Sequence, residues 1–257
     1  MFFYRLQPKP LLFVFLVVIF SLLISAPYAA KSEIGGASLL VDSFSCAKAS
    51  PKISPDEALA IVEKVQAQYS SIGSMRGTFS QDSFVAALDE GELSSGSMVF
   101  LKPGKMRWSY RKPREQEVVI RDGEMWIYQP DKGQVLIDRV DNVLLSALPI
   151  SFLMGLGNLT KDFKVLSACY GNRDGVLLTL EPRKSGAQDG KQRGDNLEGF
   201  TLLVDRSGGV PRGAKVNSVG GNRTVILFEG LEVNPAQGVV DRFQLEYPKG
   251  VDILDRR

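Results

Sequence analysis

GSMVFLKPGKMRWSYRKPREQEVVIRDGEMWIY, residues 96–128, decides the fold. Three turn signals, Pro103-Gly104, Lys112-Pro113 and Asp122-Gly123, cut it into four short strands. Strand side chains alternate, so Met106, Trp108 and Tyr110 share one face, and Lys105, Arg107 and Ser109 the other. In the fourth strand Trp126 and Tyr128 share a face, with Met125 and Ile127 opposite. Both tryptophans of the chain therefore fall in adjacent hairpins. A sheet with large apolar groups on one face must cover that face, either with its own chain or with a ligand.

Working outward, residues 75–88 and 92–102 carry strand patterns before these hairpins, and residues 134–140 (QVLIDRV) follow them. Ser54-Pro55-Asp56-Glu57 opens a helix, with Ser54 as N-cap, Pro55 at the first helical position and Glu57 closing a capping box. Leu59, Val62, Val65 and Tyr69 recur at helical spacing, which gives that helix one apolar stripe. Residues 141–158 (DNVLLSALPISFLMGLGN) cluster leucines without a period of two and read as two short helices broken at Pro149. Strand patterns then resume in DFKVLSACY, GVLLTLEP, GFTLLVDR, PRGAKVNSV, NRTVILFEG and DRFQLEYP. Residues 183–196 form a polar, glycine-rich loop that is expected to be mobile. The sum is about eleven strands, one N-terminal helix and a small helical insertion: one mainly β domain over residues 54–257.

The N-terminus reads as a secretory signal. Arg5 and Lys9 precede an apolar run at residues 11–24, and small residues of SAPYAA offer cleavage before about position 30. The alternative is an uncleaved anchor, although the run is short for a bilayer span of about 20 residues. Residues 31–53 are small and polar, and are expected to be a flexible leader. Export of such a chain points to a bacterial periplasm. Without Arg5 and Lys9 the body holds 29 basic and 29 acidic residues, so nothing in its charge favours nucleic acid.

The chemistry is read largely from absence. The chain has no histidine, which removes Ser-His and Cys-His nucleophile pairs and His metal sites. Gly155-Leu-Gly157 lacks the third glycine of a dinucleotide fingerprint, and residues 186–192 (GAQDGKQ) are one residue short of a phosphate loop. The acidic cluster Asp89-Glu90-Gly91-Glu92 reads as a solvated hairpin tip rather than a metal site. No carboxylate pair can be placed on one site by spacing. The reading is a protein that is not an enzyme and takes no cofactor or metal. Cys46 and Cys169 are the two cysteines; in an oxidising compartment they could pair, or remain two thiols.

Several segments, in order, resemble the outer-membrane lipoprotein carrier family (LolA). Gly77-Thr-Phe79-Ser-Gln81 is similar to its early strand, residues 96–110 to its K/R-P-G and R-W segment, and Asp122-Gly123 with Trp126, Tyr128 and Pro130 to its D-G hairpin. Leu148-Pro149, Phe152-Leu153, Phe228, Asn234-Pro235, Phe243 and Pro248-Lys-Gly250 fit its later parts. The resemblance implies an unclosed antiparallel half-barrel with a helical lid, and a periplasmic carrier that shields acyl chains. It also implies acylated lipoproteins as cargo, an ATP-driven lipoprotein-releasing complex of the inner membrane as donor, an outer-membrane acceptor, and a monomeric carrier. The concave face would draw on Phe79, Phe100, Met106, Trp108, Val118, Ile120, Trp126 and Tyr128. Leu144, Leu145, Leu148, Phe152, Leu153 and Met154 would supply lid contacts. The family's latching arginine is replaced here by Lys102, a point charge without the planar fork, so either the lid is held differently or Arg107 contributes. A sensing module, a shuttle for another envelope lipid and a hydrolase with a cryptic acid pair are the other readings.

Overall fold

The structure, a computed structural model, describes residues 39–48, 50–140, 158–183, 197–207, 209–218, 220–236 and 239–257. Helix α1 (Pro55–Ser71) begins where its capping box demands: the Ser54 backbone N–H donates to Glu57 at 2.8 Å, and the Glu57 N–H donates to Ser54 Oγ at 3.3 Å. Its buried stripe is Ala58, Val62, Val65 and Tyr69; Leu59, expected on that stripe, lies on the exposed side.

Twelve strands follow, numbered in chain order: β1 (Ser74–Val85), β2 (Glu90–Leu101), β3 (Lys105–Lys112), β4 (Gln116–Arg121), β5 (Glu124–Gln129), β6 (Gln134–Arg139), β7 (Phe163–Tyr170), β8 (Val176–Pro182), β9 (Leu197–Val204), β10 (Pro211–Ser218), β11 (Arg223–Val233) and β12 (Asp252–Asp255). One turn of helix, α2 (Leu159–Asp162), precedes β7 and is N-capped by Asn158. The strands make one unclosed sheet, ordered β12-β6-β5-β4-β3-β2-β1-β11-β10-β9-β8-β7. Every pairing is antiparallel except β12 on β6, which is parallel. The Asp122-Gly123 turn has both residues at positive φ, the geometry of a two-residue hairpin.

Two segments cover the face opposite Trp108. The first is the leader, which is ordered where described and not a flexible tail. Residues 39–42 form a helical turn, Phe44 packs with Leu177, Leu203, Val225 and Leu227, and Cys46 is disulfide-bonded to Cys169 with Cα atoms 5.7 Å apart. The physical reason is local: Leu40, Val41 and Phe44 give the segment an apolar side, and the bond to β7 holds it on the sheet. Gly213 lies beneath Phe44; a Cβ there would meet the ring at 3.2 Å.

The second is the C-terminal stretch. DRFQLEYP is not a strand. It runs through a 3-10 turn (Val240–Phe243) and then lies across the sheet, where Phe243 and Leu245 pack with Val99, Val119 and Trp126. Its alternating apolar residues are satisfied by one apolar sheet face rather than by a ladder. The strand that does form is β12, whose residues are all exposed at the sheet edge. Residues 141–157 and 184–196, with Leu144, Leu145, Leu148, Phe152, Leu153 and Met154, lie outside the described residues, as does the 1–30 segment. No helix among the described residues is long and apolar enough to cross a membrane.

Candidate functional site

Cross-strand register sorts the side chains into two faces, because directly paired residues point the same way. On one face Met75, Phe100, Met106, Ile120 and Met125 form a row across five strands. The next row holds Gly77, Met98, Trp108, Val118 and Ile127, and the third Phe228, Phe79, Gly96, Tyr110 and Gln116. Of the residues named from sequence for the concave face, Phe79, Phe100, Met106, Trp108, Val118 and Ile120 stand together here, and all are buried.

Trp126 and Tyr128 do not. Trp126 is in register with Val119 and Arg107, and Tyr128 with Glu117 and Ser109, so both are on the outer face. There Trp126 sits in the cluster under the C-terminal stretch, its Nε1 donates to Glu124 at 3.2 Å, and Arg257 lies 5.9 Å above its ring. Tyr128 lies 6.2 Å from Tyr247. The inner positions of β5 belong to Met125 and Ile127.

The inner face is concave where the rings meet. Trp108 and Phe228 belong to strands three steps apart in the sheet, about 14 Å along a flat sheet. Their ring centroids are 6.1 Å apart. Phe79, from a strand between theirs, packs beside this contact, 4.6 Å from Trp108 and 5.1 Å from Tyr110. Gly96 makes this possible: an added Cβ would lie 1.9 Å from the Ser109 carbonyl oxygen and 3.0 Å from the Phe79 ring.

Helix α1 contacts β7 and α2, and at its other end meets the β2–β3 turn. Lys102 fixes that end of the helix. Its Nζ donates to the Tyr69 carbonyl and stands 3.4 Å from the Tyr69 ring centroid. A cation at a helix C-terminus is favourably placed, and over an aromatic face doubly so. Burial opposes the charge and pulls the Lys102 ammonium down to about 8. Lys102 therefore ties the N-terminal helix to the sheet. Arg107 cannot serve the inner face at all: it points outward, pairs with Glu117 at 3.0 Å and donates to the carbonyls of Arg242 and Gln244. It fastens the C-terminal stretch.

Toward the β1–β2 hairpin the inner face becomes polar. Tyr110 Oη donates to Gln81 at 3.1 Å, and Gln81 Nε2 donates to Ser83 Oγ at 2.8 Å. Burial pushes the Tyr110 phenol up, and raises the Glu92 carboxyl to about 7 against the opposing pull of Arg114. Sequence reasoning missed this end because it depends on register: Gln81, Ser83 and Ser94 look like ordinary strand polar residues until their face is known.

The family profile described as "Outer membrane lipoprotein carrier protein LolA" matches residues 70–244. The chain belongs to the LolA family. An outer-membrane lipoprotein carrier protein of Cupriavidus pinatubonensis is 30% identical over 208 residues, 78% of this chain and 90% of that protein. One from Nitrosospira multiformis is 33% identical over 165 residues, 63% and 73% of the two chains. Among solved structures, an uncharacterized conserved protein from Thermus thermophilus aligns with a TM-score of 0.46 at 15% identity, covering 77% of this chain and 99% of that one. The LolA match takes in the inner-face residues from Met75 to Phe228, and both Lys102 and Arg107, but not Cys46.

Proposed function

We propose that this LolA-family protein is a periplasmic carrier that holds the acyl chains of lipoproteins against the inner face of its open sheet and moves them from the inner to the outer membrane. The observation that carries this is the placing of the methionines. Met75, Met98, Met106 and Met125 are every methionine among the described residues, and all four are buried on the inner face. Methionine is unbranched and adapts to irregular neighbours, so a face of methionines and aromatic rings can re-form around chains of variable placement.

The energetics favour such a host. Each acyl methylene exposed to water costs about 0.8 kcal/mol, so a multiply acylated cargo cannot cross an aqueous compartment bare. Transfer from membrane to an apolar face is close to neutral. Direction must then come from differences in affinity between donor, carrier and acceptor. An ATP-driven complex in the inner membrane would do the work of extraction, and an outer-membrane acceptor would bind the cargo more tightly. The Cys46–Cys169 bond fits an oxidising compartment, and with it a cleaved signal at residues 1–30. Among the described residues no metal-binding group is built on the inner face, and the reading assigns no turnover to it.

Native mass spectrometry of the protein isolated from the periplasm tests this. A bound species that yields a multiply acylated peptide on extraction is the expected result. Protein that stays ligand-free and binds no synthetic lipopeptide at micromolar concentration would rule the carrier out.

A further inference from the structure

The rows of the inner face end differently where the sheet ends. The Met75 row passes from Met125 to Asp138 on β6 and turns polar there. The row on the Gln116 side ends in Gln129, Gln134 and Asp252. The Trp108 row stays apolar throughout: Trp108, Val118, Ile127, Leu136 and Leu254 are paired one to the next from β3 to β12. Its cover thins on the way. Trp108 is 7% exposed and Ile127 3%, Leu136 is half-buried, and Leu254 is 43% exposed. The apolar face therefore reaches solvent at the β12 edge along a single strip, with polar residues on both sides.

β12 is the last strand on this side of the sheet. It runs parallel to β6, so alternate residues face that strand: the Asp252 N–H donates to the Gly133 carbonyl and the Arg256 N–H to the Ile137 carbonyl, each at 2.9 Å. The backbone N–H and C=O groups of Ile253 and Asp255 therefore point away from β6, to the side where no strand lies among the described residues. The Ile253 side chain is 52% exposed. With four residues and an aspartate at each end, β12 is short and charged, which guards the edge against open-ended pairing. Arg257 pairs with both Asp255 and Glu124 and offsets the charge at one end. Such an edge still has the backbone groups to seat a short extended peptide.

We propose that the β12 edge binds the polypeptide of the acylated cargo, just beyond its lipid, as an added strand, with the acyl chains running inward past Leu254, Leu136 and Ile127. The proposal rests on the carrier reading and deepens it: it says where the protein part of the cargo lies. The backbone of an acylated protein begins where its acyl chains end, and its peptide groups would lack partners on an apolar face. The Trp108 row brings the apolar face to an edge where outward-pointing backbone groups stand beside it. Pairing through the main chain does not depend on side chains, so this edge accepts cargo of many sequences.

The test compares two probes on the purified protein. One is diacylglyceryl-cysteine methyl ester, which has no peptide, and the other is a diacylglyceryl lipopeptide with a short uncharged peptide. Wild type should bind the lipopeptide more tightly. Ile253→Pro removes an outward N–H and leaves the pairing with β6 in place, a position at which an edge strand tolerates proline. It should weaken lipopeptide binding by about five- to tenfold and leave the methyl ester unchanged. Equal affinity of wild type for the two probes, or lipopeptide binding that Ile253→Pro does not alter, would overturn the edge site and leave the carrier reading standing. If the variant loses both probes alike, a lipopeptide N-methylated along its peptide decides on wild type: weaker binding than its parent supports the edge, and equal binding overturns it. If wild type binds neither lipid probe, the carrier reading itself fails.

Discussion

Trp108 and Trp126 stand on opposite faces of the same sheet: Trp108 is aligned through Val118 with Ile127, and Trp126 through Val119 with Arg107. Their indole nitrogens differ accordingly. Trp126 Nε1 donates to Glu124, whereas Trp108 Nε1 is buried without a partner among the described residues. The outer tryptophan is part of the scaffold, closed by Arg257 and the C-terminal stretch. The inner one belongs to a face of rings and methionines. This difference gives the protein two built-in reporters, since the chain has no other tryptophan.

Gly96 is the position on which the aromatic cluster depends. Its missing side chain leaves room for the Phe79 ring to pack on Trp108 at 4.6 Å. Gly96→Ala forces a methyl group against the Ser109 carbonyl at 1.9 Å, which only backbone movement can relieve. The expected cost is about 3 kcal/mol, at the upper end for overpacking. Gly123→Ala is the comparison, because its φ is +78° but its surroundings are open. It should cost only about 1 kcal/mol. Urea unfolding of the two variants reads the difference directly.

The disulfide closes a loop of 123 residues between the leader and β7. In the chain-entropy account a loop of that size stabilises by about 5 kcal/mol. A Cys46→Ser/Cys169→Ser variant should lose several kcal/mol in urea unfolding and expose Phe44, which packs on Leu177 and Leu227. Amide exchange over residues 40–47 should rise far more than over β2 and β3. Equal exchange in all segments would show that the leader holds without the bond.

Glu92 sets a pH dependence. Burial raises its carboxyl from the usual 4.5 to about 7. Between those values the folded protein binds more protons than the unfolded chain, so stability falls as pH rises. The contribution is fully present below about 4.5 and lost above about 7. Glu92→Gln cannot ionise and should be more stable than wild type at pH 8, with the advantage shrinking toward pH 4.5. Asp82 is shifted upward by burial as well, with Arg223 opposing, so some slope survives in the variant. Urea midpoints of both proteins across pH 4.5–8 check this; a constant gap would remove Glu92 as its source.

Much of the sheet was legible because its turns are written in residue types. Asp122-Gly123 and Pro103-Gly104 delimit hairpins, and alternation alone put Met106 with Trp108 and Arg107 opposite. The inner face of β5 was not legible. Both of its faces are apolar, Met125 and Ile127 on one side and Trp126 and Tyr128 on the other, and alternation alone does not say which side faces inward. What decides is Phe243, more than a hundred residues away, which covers the outer side. The same long-range packing turned DRFQLEYP from an apparent strand into a cover, and gave order to a leader whose sequence shows no period. The polar end was hidden for a related reason. Thr224, Ser83 and Glu92 come from three strands, and only register brings them into one row.

The two tryptophans report which face of the sheet holds the acyl chains. Trp126→Phe leaves Trp108 as the sole tryptophan, and Trp108→Phe leaves Trp126. Each variant is titrated with a lipopeptide carrying brominated acyl chains, which quench indole fluorescence at short range. If the inner face holds the chains, Trp108 is strongly quenched and Trp126 keeps its emission. Quenching of Trp126 with Trp108 unaffected would place the acyl chains on the outer face and contradict the account.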